Sequence, residues 1–214
     1  MAVTHRDLVV VRREFAFEIR KAIGVVVSLN EGISLGKLPK GLAEFSDEIV
    51  EAAFLKYFKA WETFIEHAFV LYMTGKTAPK GRAPIRYCSP PSREFALQWL
   101  LPERGTYTEW IVLDDLKKRS QKFFKDGRPI YDALASSGAV LQEAAVIRNA
   151  VAHPSEKALK SFQNVVRQKL TVLPPRLTVG SYLNLVEPAS SPPARFIEQY
   201  GTGLLKLAEL IVPT

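Results

Sequence analysis

Between residues 44 and 74 the chain carries neither glycine nor proline, and Phe54, Phe58, Trp61, Ile65, Ala68 and Tyr72 recur there at steps of three and four. Such spacing puts all six on one side of an α-helix, as an apolar face that must be covered. Gly75 follows, where a helix of this kind is expected to stop. A second stripe at helical spacing holds Lys59, Glu62 and Glu66. The segment reads as a long core helix.

The rest of the chain has no internal repeat and no low-complexity tract. Residues 5–28 alternate charged and apolar positions at roughly helical spacing, and the β-branched run Val25-Val26-Val27 leaves the end of that helix open. Asn30, Gly32, Gly36, Pro39 and Gly41 mark 30–41 as a loop. Gly75, Pro79, Gly81, Pro84, Pro90 and Pro91 break the pattern over 75–93, and Lys76, Lys80, Arg82, Arg86 and Arg93 make that loop basic: a functional insertion or a disordered segment. A short apolar turn from Phe95 to Leu101 leads to another loop ending at Thr108. Thr108 is expected to cap a helix from Glu109 to about Lys125, whose second half carries Lys117, Lys118, Arg119, Lys122 and Lys125. A run of this kind is either a solvated helix face or a nucleic-acid contact.

A further helix is expected from Pro129 or Gly138 to His153. It ends there because a residue before proline, here Pro154, disfavours the α region. Another spans Ser155 to Lys169, and residues 170–188 read as a small hairpin or an extended strap. Ser191-Pro192-Pro193 starts a final helix over Arg195 to Val212, interrupted by Gly201 and Gly203. The sum is an all-α fold. It reads as an antiparallel bundle of four to five helices in one domain over 1–214, with a basic loop insertion (75–108) and a C-terminal extension (170–214) holding the irregular or hairpin segment.

The 214 residues suffice for one sizeable core, and the net charge of +7 with a pI near 9.5 favours anionic partners, nucleic acid before membrane. The lone Cys88 allows neither an intrachain disulfide nor a cysteine-based zinc site and suits a reducing compartment. The N-terminal apolar runs are short and broken by charge, unlike a signal peptide. The longest apolar stretch elsewhere, Phe64 to Met73, is interrupted by Glu66 and His67 and falls well short of the ~20 residues a span needs. The expectation is a cytoplasmic protein that does not enter the membrane.

Of the three histidines, His5 sits near a terminus and His67 on the core helix, where no second ligand completes a metal site. His153 stands in a richer setting. Val140, Leu141, Ala144, Ile147 and Val151 form the apolar face of its helix, and Arg148 lies at the edge of that face, where a guanidinium needs an anionic or carbonyl partner. Asn149 and His153 are one turn apart, at the end of a polar row of small residues that includes Gln142 and Ala145. An imidazole titrating near neutrality beside a fixed guanidinium suits phosphoryl chemistry: one moves protons, the other stabilises phosphate charge. The same residues also fit a purely structural role, with Arg148 on main-chain carbonyls and His153 as a cap.

Arg148-Asn149, three intervening residues and His153 resemble the signature of the HEPN superfamily, an arginine, a polar residue and a later histidine at the end of a bundle helix. The segment from Phe54 to Glu66 resembles the earlier HEPN helix with its embedded glutamate, and the branch most similar is the RNase-like one of prokaryotic toxin and defence systems. The resemblance covers about 44–74 and 130–170; Pro154 stands where many members have glycine. It implies a single HEPN-like domain and a homodimer in which two Arg–His motifs face each other. It also implies metal-independent RNA cleavage without a cofactor, by attack of a 2′-OH on the adjacent phosphate. On that reading His153 is the general base and acid, and Arg148 stabilises the phosphorane. Asn149 orients His153 or the RNA backbone, and Glu62 or Glu66 positions Arg148. Lys117, Lys118, Arg119, Lys122, Arg82 and Arg86 would hold RNA, and an antitoxin or inhibitor protein would be a partner. The alternative within the same resemblance is a non-catalytic RNA-binding or dimerisation module.

Overall fold

The computed structural model describes residues 7–101 and 108–214. Among them the regular structure is helical, with no strand: α1 (Leu8–Ser34), α2 (Lys40–Glu44), α3 (Ser46–Met73), α4 (Arg93–Leu100), α5 (Leu113–Phe123), α6 (Ile130–Ser137), α7 (Ala139–Ala152), α8 (Glu156–Leu170), α9 (Val179–Asn184) and α10 (Phe196–Ile211). The all-α class read from the sequence is therefore the class observed. No helix among the described residues is long and apolar enough to cross a membrane.

Two compact units divide the chain. The first takes in Met1–Phe17, Ala60–Leu141 and Leu204–Thr214; the second takes in Glu18–Lys59 and Gln142–Gly203. The first is organised around the C-terminal part of α3. Trp61 is fully buried and its indole Nε1 donates to the carbonyl oxygen of Trp110 at 2.9 Å. Phe15 of α1 stacks on Phe64 with centroids 5.0 Å apart and meets Trp61 edge-on. Phe69 sits among Trp110, Phe123 and Phe124, and the buried Tyr72 hydroxyl donates to the carbonyl of Ile211 at 2.6 Å. Aromatic pairs of this geometry contribute about 0.5–1.5 kcal/mol each beyond the area they bury.

The basic segment after α3 is held in place at several points. Arg86 Nη1 donates to the carbonyl of Met73 at 2.9 Å, Tyr87 N–H donates to Phe123 O at 3.0 Å, and Lys125 N–H donates to Ile85 O at 2.8 Å. Gly75 makes this possible: its φ is +92°, and a Cβ there would lie 3.0 Å from the Arg86 guanidinium.

The second unit has its own aromatic core. Phe54 meets Tyr200 and Phe58 edge-on, Tyr57 donates to Ile197 O at 3.2 Å, and Tyr182 stacks on Phe196 with centroids 4.5 Å apart. α9 is seated on the first turns of α3. The Gly180 N–H donates to Glu51 Oε1 at 2.9 Å and the Thr178 hydroxyl donates to the Asp47 carboxylate.

Several expectations from sequence are corrected. Residues 30–34 are not loop but the last turn of α1, because the Asn30 amide donates to Val26 O at 2.8 Å and exchanges hydrogen bonds with Asn184 at 2.7 and 2.9 Å. The apolar turn at 95–101 is a helix, α4, capped by Ser92, whose side chain accepts from the Phe95 N–H. Thr108 does not cap α5: it is buried with its hydroxyl on Leu100 O at 2.9 Å, and the helix starts four residues after Glu109, at Leu113. Of the two starts expected for the helix before His153, the one at Gly138 agrees with α7, and the stretch after Pro129 is a separate helix, α6. No hairpin precedes the last helix; Thr178 and Ser181 form a capping box that starts α9, and one isolated bridge, Val186 with Arg195, is all the pairing there. The expected loop into Thr108 lies partly outside the described residues, as does His5.

Candidate active site

The Arg148–His153 segment closes α7, in the second unit. Leu141, Ala144, Ile147 and Ala150 are its buried positions, while Val140 and Val151 are half-buried, so the apolar face is narrower than the sequence suggests. The alanine at 150 lies where the stripe turns, and its small side chain is fully enclosed. Gln142, Asn149 and His153 are exposed and Ala145 half-buried, so the polar row opens to solvent.

The helix ends where Pro154 demands it. The His153 N–H donates to Asn149 O at 2.9 Å, completing the last turn, and the Ser155 N–H returns to His153 O at 2.6 Å. Ser155 then caps α8, its side chain accepting from the Ala158 N–H at 3.3 Å. The imidazole thus projects from a junction whose backbone is fixed on both sides, between the carbonyl end of one helix and the amide end of the next. The amide end favours an anion nearby.

Arg148 is half-buried at the edge of the apolar face, and its Nη1 donates to Asn149 Oδ1 at 3.1 Å. The partner expected for this guanidinium is therefore an amide oxygen of the adjacent residue. One Nη is oriented by Asn149, and among the described residues the remaining guanidinium donors are left for an incoming anion. Together the three side chains can donate hydrogen bonds to a phosphate and exchange a proton at its edge.

Glu143 is the residue that sequence reasoning missed. It lies on α7, five positions before Arg148, with its carboxylate 2.9 Å from Lys169 Nζ of α8 and accepting from the Tyr200 hydroxyl of α10 at 3.3 Å. Burial pushes the Tyr200 phenol well above its ordinary range, so it stays a donor; the Tyr182 hydroxyl lies 3.3 Å from it. This knot fixes the register of α7 against α8 and α10. The only trace of it in the sequence is a glutamate beside the apolar stripe, a position usually filled by a solvated charge.

The other expected residues fall in the first unit. Glu62 and Glu66 are half-buried on α3, and Glu66 lines a cavity of about 180 Å³ with Gln98, Thr108 and Trp110. His67 is buried on the same helix. Arg82 lines a larger cavity, about 670 Å³, with Lys125, Arg128, Asp126 and Asp132; Arg128 is already paired to Asp132 at 3.0 Å. Arg86 is held by Met73. On α5, Lys118 and Lys122 are exposed and Lys117 is half-buried. Arg119 is folded back: its guanidinium lies 4.7 Å over the Trp110 ring and donates to Glu109 O at 3.0 Å, and burial lowers its pKa. Among the described residues, no group of three or more His, Cys, Asp or Glu side chains comes together in a way that could hold a metal ion.

Set against family models, curated proteins and solved structures, the chain finds no match in any of the three.

Proposed function

We propose that this protein is an endoribonuclease of the HEPN type, cleaving RNA by 2′-OH attack with His153 as general base and acid and Arg148 as the group that stabilises the phosphorane. The observation that carries the reading is the pairing at the end of α7. A half-buried guanidinium is oriented by Asn149, and an exposed imidazole stands one turn further on, at a junction of two helix ends. An arginine oriented by its neighbour and an accessible histidine at the same helix end suit the charge and proton demands of phosphodiester cleavage.

The reading takes the long helices α1, α3, α7, α8 and α10 as the HEPN-like bundle, and the exposed row Gln142, Asn149, His153 as the face that meets a second copy of the chain. One chain supplies one such histidine, so two-histidine chemistry needs a homodimer. Glu62 or Glu66 as a positioning group for Arg148, and an antitoxin that masks the basic surface, belong to the same proposal. So does metal-independent action in the cytoplasm.

The test is cleavage of total cellular RNA by the purified protein with EDTA present, alongside His153→Ala and Arg148→Ala. Cleavage by the wild type that falls by about 10²-fold or more in His153→Ala, as expected on removing a general acid–base group, and is lost likewise in Arg148→Ala, supports the site. Intact RNA in every lane, from a folded dimer, replaces catalysis by a binding or dimerisation role. Equal cleavage by both variants refutes the site.

A further inference from the structure

The outer face of α4 carries two large aromatic side chains one helical turn apart, Phe95 and Trp99, 48 % and 41 % exposed. The buried positions of α4, Ala96 and Leu100, supply its packing and leave these two rings on the surface. Beside Trp99 runs a groove of about 270 Å³ toward α5, bordered by Leu101, Lys118, Lys122, Phe123 and Asp115. Lys118 and Lys122 are also one turn apart, on the solvent side of α5 opposite its buried Leu116, Ser120 and Phe123. Trp99 therefore shares its groove with two cationic rungs, Lys118 and Lys122, while Phe95 stands one turn away from Trp99 on the surface of α4, each pair spaced by roughly 6 Å along its helix axis.

We infer that this α4–α5 groove binds single-stranded RNA, with a base stacked on Trp99, its neighbour just outside the groove on Phe95, and the phosphate between them and the one that follows on Lys118 and Lys122. Stacking on an aromatic face with lysines following the backbone is how proteins hold single strands without reading their sequence. The groove is smaller than the 300–1,000 Å³ or so of sites that enclose a drug-sized ligand, which suits one base at a time. Arg119 adds positive charge from beneath while its guanidinium stays on Trp110. Asp115, the carboxylate among the lining residues, closes one end, where a phosphate is repelled and a base amino group is accepted. The inference rests on RNA being the partner of this protein, but not on cleavage.

Trp61 and Trp110 are fully buried, so Trp99 is the tryptophan whose fluorescence an incoming base can quench. The full-length protein is titrated with a 2′-O-methyl RNA of roughly ten nucleotides, which lacks the attacking hydroxyl and so cannot be cleaved. Binding is read both by tryptophan emission and by anisotropy of a 5′ label. The expected result is quenching by this oligomer but not by an abasic oligomer of equal length. Trp99→Ala is expected to weaken binding by roughly five-fold or more, Trp99→Phe to keep it, and Lys118→Ala/Lys122→Ala to weaken it and flatten its salt dependence. Trp99→Ala binding like the wild type, or equal quenching by the abasic oligomer, overturns the inference and leaves a phosphate-only surface or none. Binding as expected from a protein that cleaves nothing refutes the nuclease and keeps the groove; cleavage with no effect at Trp99 does the reverse.

Discussion

Gly180→Ala tests the packing that seats α9 on α3. A Cβ at this position lies 2.4 Å from the carbonyl oxygen of Asp47, 2.6 Å from its Cα and 2.7 Å from its carbonyl carbon. All three are backbone atoms of the first turn of α3 and cannot swing aside as a side-chain tip would. Restoring ordinary contact at about 3.5 Å requires α9 to back away by roughly 1 Å. That displacement stretches the 2.9 Å hydrogen bond from the Gly180 N–H to Glu51 beyond useful length. Overpacking costs about 1–3 kcal/mol, and loss of a half-buried hydrogen bond to a carboxylate adds about 1–2 kcal/mol. The better helix propensity of alanine returns at most about 1 kcal/mol. The net loss is about 1–4 kcal/mol, and its midpoint corresponds to roughly 5–10 °C in Tm for a chain of this size.

Gly24→Ala is the control. Gly24 is also helical and in the second unit, but nothing lies within 4 Å of a Cβ built there. That variant is expected to gain up to about 1 kcal/mol. Urea titrations followed by circular dichroism read both variants against the wild type. The reasoning is refuted if Gly180→Ala is as stable as the wild type, or if the two substitutions shift the midpoint in the same direction.

Glu51 offers a pH test. Burial raises its pKa, with help from Asp47 and Glu48 and against the hydrogen bond from Gly180. Because the folded pKa lies above the ordinary 4.5, the folded state holds the proton more tightly, and the stabilisation this gives is present below that value and lost as pH rises through the folded pKa. Glu51→Gln keeps an acceptor for Gly180 and removes the charge, so thermal melts are expected to show a gain at pH 7 that shrinks toward pH 4; a gain independent of pH contradicts the electrostatic cause. At the candidate site, Asn149→Ala releases Arg148 from its 3.1 Å hydrogen bond. The bond has a charged donor but is exposed, where water competes, and contributes about 0.5–1.5 kcal/mol, so cleavage of RNA is expected to fall roughly three- to ten-fold, well short of the loss in His153→Ala; a loss as large as that of His153→Ala would make Asn149 part of the chemistry rather than a positioning residue.

How much of this was legible beforehand depended on the range of the interaction involved. The apolar steps from Phe54 to Tyr72 set α3 within a residue or two of its observed ends, Ser46 and Met73, because helical periodicity is a local property of the chain. The stop at His153 was equally readable, since the clash of a proline ring with the preceding residue needs no other part of the molecule. The residue types of the candidate site were visible in the sequence, and so was the requirement that Arg148 find a partner.

The tertiary structure decided the rest. Asn30 and Gly32 look like loop residues until Asn184, far along the chain, pairs with Asn30 and carries α1 on to Ser34. The glycine- and proline-rich segment after α3 reads as free until Arg86 closes on Met73. Nothing local marks Gly180 as the residue pressed against Asp47, Glu143 as the anchor of α7, or Trp99 as exposed while Trp61 and Trp110 are buried. Sequence spacing fixes which side chains share a face of one helix; which faces are covered, and by what, follows only when distant segments close on one another and leave each polar group a partner or a place in solvent.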